Sequence, residues 1–192
     1  MRFEEACENI RSILSVSLPK QLTYHSVGHI EDVFQAAQNI GHAEGITEYE
    51  LQLLLTAVLF HDSGFLVSLK EHELHSCELA RKHLPDYDYT AEEIERICEM
   101  IMATRLPQMP ASHLGKILCD ADLDYLGRDD FFRIGDLLFQ ELIYQGVLET
   151  EFEWNSLQVR FLEKHEYFSN TAIRLRASGK LRNLELVRAK LL

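Results

Sequence analysis

The stretch LFHDSGF (residues 59–65) sets an imidazole and a carboxylate side by side, His61 and Asp62, where the most apolar segment of the chain ends. An unpaired carboxylate buried at that place costs several kcal/mol. A bound cation removes the cost, and nitrogen plus oxygen ligands suit a borderline or hard divalent metal. Seven of the nine histidines fall between positions 25 and 83. The question is which of the remaining histidines and acids face the same point.

Helical periodicity selects among them. Over residues 26–44, Ile30, Val33, Phe34, Ala37 and Ile40 define a buried stripe at 100° per residue. His29 lies on the flank of that stripe. His25 sits one turn earlier, about 5–6 Å away by helix spacing. His42 falls opposite, with Glu31, Gln35 and Gln38, and reads as solvated. In KILCDADLDYLG (116–127), Ile117, Leu118, Ala121 and Tyr125 mark the inner face, and Asp122 falls within it. Asp120 and Asp124 fall on the outer face with Lys116 and read as solvated. In KEHELHSCELARKHL (70–84), Leu74, Cys77, Ala80 and Leu84 mark the stripe, and Glu73 falls inside it. A glutamate there either pairs with a buried base or reaches a metal and its water. His72 lies beside it, and His75, His83 and His113 read as surface residues.

The elements that position these groups are helical nearly throughout. Four prolines, nine glycines and the absence of an alternating β-branched run predict an all-α chain. Helices are expected at 2–16, 26–44, 48–61, 70–84, 90–105, 114–126, 129–145, 155–168 and 170–190. Thr47-x-x-Glu50 and Thr90-x-x-Glu93 are capping boxes that open two of them. Gly45 is a stop, and Gly64 lets the chain turn after Asp62. No repeat or domain boundary interrupts residues 1–192, which read as one helical bundle with a motif core at about 22–145 and C-terminal helices at 150–192 packed on it.

Composition narrows the function. Lys and Arg number 19 and Asp and Glu 31, for a net charge of −12. Such a chain binds nucleic acid duplexes and anionic membranes poorly, but a local metal still admits a small phosphorylated ligand. No stretch reaches the length of a membrane span, and the acidic start MRFEEACENI is no export signal. The four scattered cysteines form no Cys-x-x-Cys pair, so a thiolate zinc site is not expected, and they read as reduced thiols of a cytoplasmic protein.

The set His29, His61–Asp62 and Asp122 resembles the His…His-Asp…Asp signature of the HD superfamily of metal-dependent phosphohydrolases. YHSVGHIEDV (24–33) looks like its opening motif, LFHDSGF the HD motif itself, and ILCDADLDYLG (117–127) the closing one. FLEKHEYFSNTAIRLR (161–176) resembles the tail of small bacterial members. The resemblance implies an all-α HD-type bundle that holds a divalent ion (Mn, Mg, Fe, Ni, Co or Zn) on His29, His61, Asp62 and Asp122. It implies hydrolysis of a nucleotide or related small phosphate ester through a metal-activated water. Tyr24-His25 stands where cyclic-nucleotide phosphodiesterases carry a Tyr-His pair, so His25 either protonates the leaving oxygen or serves as a helix-capping group. His72-x-x-x-Ser76 looks like the motif whose histidine binds a second ion. MIMATR (100–105) stands where such enzymes carry a further histidine pair, and the lysine that follows HD in some branches is also missing. Other members are di-iron oxygenases or lyases, which need extra histidines for a second metal, here only His72 and His75, or non-catalytic nucleotide-binding modules. Arg105 reads as a surface ion pair or a phosphate contact. Phe131, Phe132, Phe139 and Tyr144 read as core rather than as a base-stacking platform.

Overall fold

The computed structural model describes residues 1–192, and every regular element in it is helical. In chain order these are α1 (Phe3–Ser17), α2 (Val27–Glu44), α3 (Glu48–His61), α4 (His72–His83), α5 (Ala91–Ala103), α6 (His113–Asp122), α7 (Phe131–Tyr144), α8 (Glu151–Lys164) and α9 (Asn170–Ala189). Short 3₁₀ turns follow α3 (Ser63–Leu66), α4 (Leu84–Tyr87) and α6 (Asp124–Gly127).

Helix α3 is the axis. Thr47 accepts from the Glu50 backbone N–H, and the Glu50 carboxylate accepts from the Thr47 backbone N–H. That reciprocal cap fixes its start. Its side chains are apolar around the circumference, so it is stable only when surrounded. It packs on α1, α2, α4, α5 and α6, and Leu53, Leu54, Ala57, Val58 and Leu59 are wholly buried. Helix α2 closes on Gly45, whose φ of +72° is the left-handed cap. A second apolar cluster joins Leu126, Phe131, Ile134, Leu162, Leu184 and Val187 from α7, α8, α9 and the turn after α6.

Several expectations are corrected. Helix α6 stops at Asp122, and the expected continuation to 126 is a 3₁₀ turn. Helix α8 begins earlier than expected, because Thr150 and Glu153 form a third capping box. Leu74 is 40% exposed, whereas Glu73, Ser76, Cys77 and Ala80 form the inner face of α4. Tyr144 is exposed rather than core. Asp120 and Asp124 are not solvated, with 0% and 4% exposure. Asp120 accepts the backbone N–H groups of Phe168 and Ser169 at 2.8 and 2.7 Å. Asp124 is gripped at both oxygens by Arg176 (2.7 and 3.1 Å). The chain leading into α9, and α9 itself, cover the face of α6 that periodicity had assigned to water.

Candidate metal centre

The end of α3 carries His61 and Asp62 to one point because the local backbone is tied from behind. Ser76 Oγ donates to the His61 carbonyl at 2.7 Å and accepts the Gly64 N–H at 2.8 Å. A Cβ at Gly64 would lie 1.9 Å from the His72 carbonyl oxygen. Gly64 is therefore there for close approach of the 3₁₀ turn to α4, and that approach sets His72 beside Asp62. Ser76, the last residue of the His72-x-x-x-Ser76 motif, acts as the bolt.

His61 Nδ1 donates to the Val58 carbonyl at 2.6 Å, which leaves Nε2 as the lone-pair nitrogen. That Nε2 lies 3.3 Å from Asp62 Oδ2 and 3.6 Å from Asp122 Oδ1. His29 Nε2, from the first turn of α2, lies 3.5 Å from Asp62 Oδ2 and 3.2 Å from Asp122 Oδ1. One ligand atom from each of His29, His61 and Asp122 falls within 4.8 Å of the others. His29 Nε2, His61 Nε2 and Asp62 Oδ2 are buried with no hydrogen-bond partner. Buried polar atoms are ordinarily satisfied, so three such atoms converging on one point fit a coordinated ion.

The electrostatics agree. Burial pushes the His61 pKa down, but the Asp62 and Asp122 carboxylates outweigh it and hold the imidazole well above its ordinary value. Burial pushes the two carboxyls up, yet His61 and His72 hold Asp62 well below the usual range. His29 and His61 bring Asp122 to about 2. The cluster thus demands positive charge, which a proton or a metal ion supplies.

A cavity of about 520 Å³ opens on this cluster. His25, Asp62, His72, Glu73 and Asp122 line its inner end, and Glu71 and Arg105 also line it. Asp122, with a side chain 17% exposed, is the carboxylate on the cavity side, while Asp62 is deeper. Gln108 Nε2 reaches Asp122 Oδ2 at 3.4 Å from the loop after α5.

His72 Nε2 lies 3.4 Å from Asp62 Oδ1, and its ring stacks on Phe65 at 4.1 Å. Glu71, just before it, holds φ at +53°, a left-handed conformation uncommon for a residue with a side chain. Glu73 is buried, with His72 Nδ1 at 3.7 Å and no arginine or lysine in ion-pair range. Arg105 stands 3.8 Å from Glu71, so it is both a loose surface pair and a cavity residue. His75 pairs with Glu78 and does not reach the cluster.

His25 Nδ1 lies 2.5 Å from Glu141 Oε1, and Glu141 Oε2 also accepts the backbone N–H groups of Tyr24 and His25. Burial pushes the His25 pKa down, but the hydrogen bond to Glu141 and the charges of Asp62, Glu141 and Asp122 raise it. Sequence reasoning missed Glu141 and Gln108. Neither stands in a motif, and each meets its partner only through the fold. A glutamate inside the largely apolar LLFQELI of α7 was the one available signal.

The HD-domain family model matches residues 26–124, from just before His29 to just beyond Asp122. The chain belongs to the HD-domain family. This HD domain superposes on Bacillus subtilis YpgQ, solved in complex with ADP, with a TM-score of 0.70 at 21% identity, covering 98% of this chain and 95% of that one. A predicted HD superfamily hydrolase from an uncultured Thermotogales bacterium gives 0.63 at 21% identity over 96% and 90% of the two chains. Those two likenesses are of fold. An uncharacterized protein of Clostridium beijerinckii is 31% identical over 84 residues, 42% of this chain and 53% of that protein. The HD domain therefore spans about half the length of that curated relative. No helix is long and apolar enough to cross a membrane.

Proposed function

We propose that this HD domain hydrolyses esters of phosphate with small molecules, nucleotides among them, using a divalent ion held by His29, His61, Asp62 and Asp122. The observation that carries the reading is the convergence of three buried, unpartnered atoms, His29 Nε2, His61 Nε2 and Asp62 Oδ2, beside the Asp122 carboxylate at the inner end of a cavity. When bound, a divalent ion supplies Lewis acidity, acidifying water and offsetting the charge of a phosphoryl group.

The chain's own residues supply the rest. His25 lines the cavity with Nδ1 committed to Glu141, so its Nε2–H is free to hydrogen-bond the leaving oxygen and give it a proton. Glu141 keeps that imidazole charged and oriented. Glu73, with no arginine or lysine partner and only His72 Nδ1 at 3.7 Å, accepts a proton from the attacking water or orients it. His72 stacks on Phe65 and holds Asp62 Oδ1 from the far side, where a second ion would use the pair. Residues 100–105 offer no histidine to complete such a second site. Of the two extra histidines a di-iron oxygenase or lyase would draw on, His72 reaches Asp62 but His75 lies outside the cavity, which favours the hydrolase reading.

The test is a hydrolysis screen of nucleotides, generic phosphodiesters and phosphomonoesters with Mn, Mg, Ni, Co and Zn. Turnover that is lost in His61→Ala supports the reading. Absence of turnover on every ester with every metal overturns it.

A further inference from the structure

Beyond the metal cluster the cavity runs between α7, α8 and the turn after α6, where its walls change character. Phe131, Leu138, Leu142, Trp154, Leu157 and Phe161 line this part. Phe131 is packed core as expected, and one side of its ring forms part of the chamber wall. Trp154 is held by stacking on Phe139 at 5.8 Å and 15°. Among the lining residues contributed by α7 and α8, the polar groups are the Gln158 amide, one N–H of which reaches Asn155 Oδ1 at 3.4 Å, and the Trp154 indole N–H. Helices α7 and α8 touch at Phe139 and Trp154 and leave a gap beside that contact. Phe131, Ile134, Trp154 and Leu162 are buried where the two helices meet, but Leu138, Leu142, Leu157 and Phe161 stay part-exposed towards a cavity whose total volume is that of small-molecule sites.

The charges facing the same cavity are unequal. The lining carboxylates are Asp62, Glu71, Glu73 and Asp122, and the one permanently cationic side chain is Arg105, which Glu71 already approaches. A divalent ion offsets Asp62 and Asp122. For additional phosphates there remain only Arg105, which Glu71 approaches, and the His25 imidazole, which is committed to Glu141.

We infer that the substrate carries a single phosphate on a bulky apolar organic group, which the α7–α8 chamber takes up, in preference to a nucleoside di- or triphosphate. The inference rests on the phosphohydrolase reading and names its substrate class. Each methylene that enters an apolar site gains about three- to fourfold in binding. The substrate must meet the ion through its phosphate and the chamber through its organic part, so the gain shows in kcat/KM.

The experiment measures kcat/KM of the metal-loaded protein on ethyl, butyl, hexyl and octyl phosphate, with ADP and ATP alongside. The expected result is a rise of about 100-fold or more from ethyl to octyl, with octyl phosphate turned over better than either nucleotide. Leu157→Trp and Leu142→Trp narrow the chamber from half-buried positions and are expected to lower the octyl-to-ethyl ratio at least tenfold. That ratio does not depend on how much of a variant preparation is folded. Hydrolysis with a flat series, nucleotides turned over better than octyl phosphate, or both variants keeping the wild-type ratio overturns the inference and leaves the phosphohydrolase reading standing. No hydrolysis of any ester overturns both.

Discussion

His25 and Glu141 face each other at 2.5 Å across 116 residues of sequence, and the Glu141 carboxylate is almost wholly buried. A buried carboxylate so close to an imidazole favours the imidazolium. The proton that His25 would give to a leaving group is thus held in place by α7.

Activity is expected to fall as pH rises through the His25 pKa, because the acid must be protonated to act. Glu141→Gln keeps the shape and removes the charge, so the basic limb of the kcat/KM profile moves to lower pH. His25→Ala costs about 10²–10⁴-fold in turnover. A limb that stays in place in Glu141→Gln would show that the pair does not set the active proton.

Glu73→Gln is expected to retain the ion and to lose about 10²-fold or more in turnover, the size expected for a positioned acid–base group. His72→Ala weakens binding of any second ion and leaves the first in place. Measuring melting temperature and turnover on the same preparation separates this from a structural role, in which Glu73→Gln melts lower while the folded protein keeps its specific activity.

Asp120 stands two residues before a proposed ligand and is expected to do a different job. Its oxygens each accept a backbone N–H, from Phe168 and Ser169. Asn offers one acceptor, and its amide N–H groups oppose the other donor. Asp120→Asn is expected to cost about 1–3 kcal/mol in denaturant unfolding without loss of metal.

His165 lies between Phe161 and Tyr167 with both ring nitrogens buried and unpartnered. Burial first, then the charge of Lys180, lowers its pKa from 6.5 to about 4. The folded value lies below the unfolded one, so the stability is present above pH 6.5 and is lost as pH falls towards 4. The shift corresponds to on the order of 3 kcal/mol. His165→Phe is expected to lose less stability than wild type between pH 7 and 4. Parallel pH profiles for the two proteins would contradict this.

The helical class and the ends of most helices were legible because capping boxes, prolines and glycines act within a few residues. Helical period turned His29 and Asp122 towards the end of the apolar α3, where the sequence sets His61 and Asp62, and the four side chains do converge; that they hold an ion is our proposal. Asp120 and Asp124 were misread because that argument assumes one wet face per helix. Helix α6 has none over this stretch, since Phe168, Ser169 and Arg176 come from far along the chain to cover it. Glu141 and Gln108 were invisible on the same ground. Leu138, Leu142, Leu157 and Phe161 carry no local sign that α7 and α8 leave a chamber beside their contact rather than a packed seam.

The most direct test of the central claim is the metal content and melting temperature of protein stripped by a chelator and reloaded with Mn, Fe, Co, Ni or Zn. The account predicts that wild type takes up at least one ion and melts higher when loaded, since the ion replaces missing positive charge between Asp62 and Asp122. Asp122→Ala is predicted to lose that uptake and Asp120→Asn to keep it. A verified metal-free protein that refuses every ion, or whose melting is unchanged by loading, would contradict the account. So would uptake that survives in Asp122→Ala and disappears in Asp120→Asn.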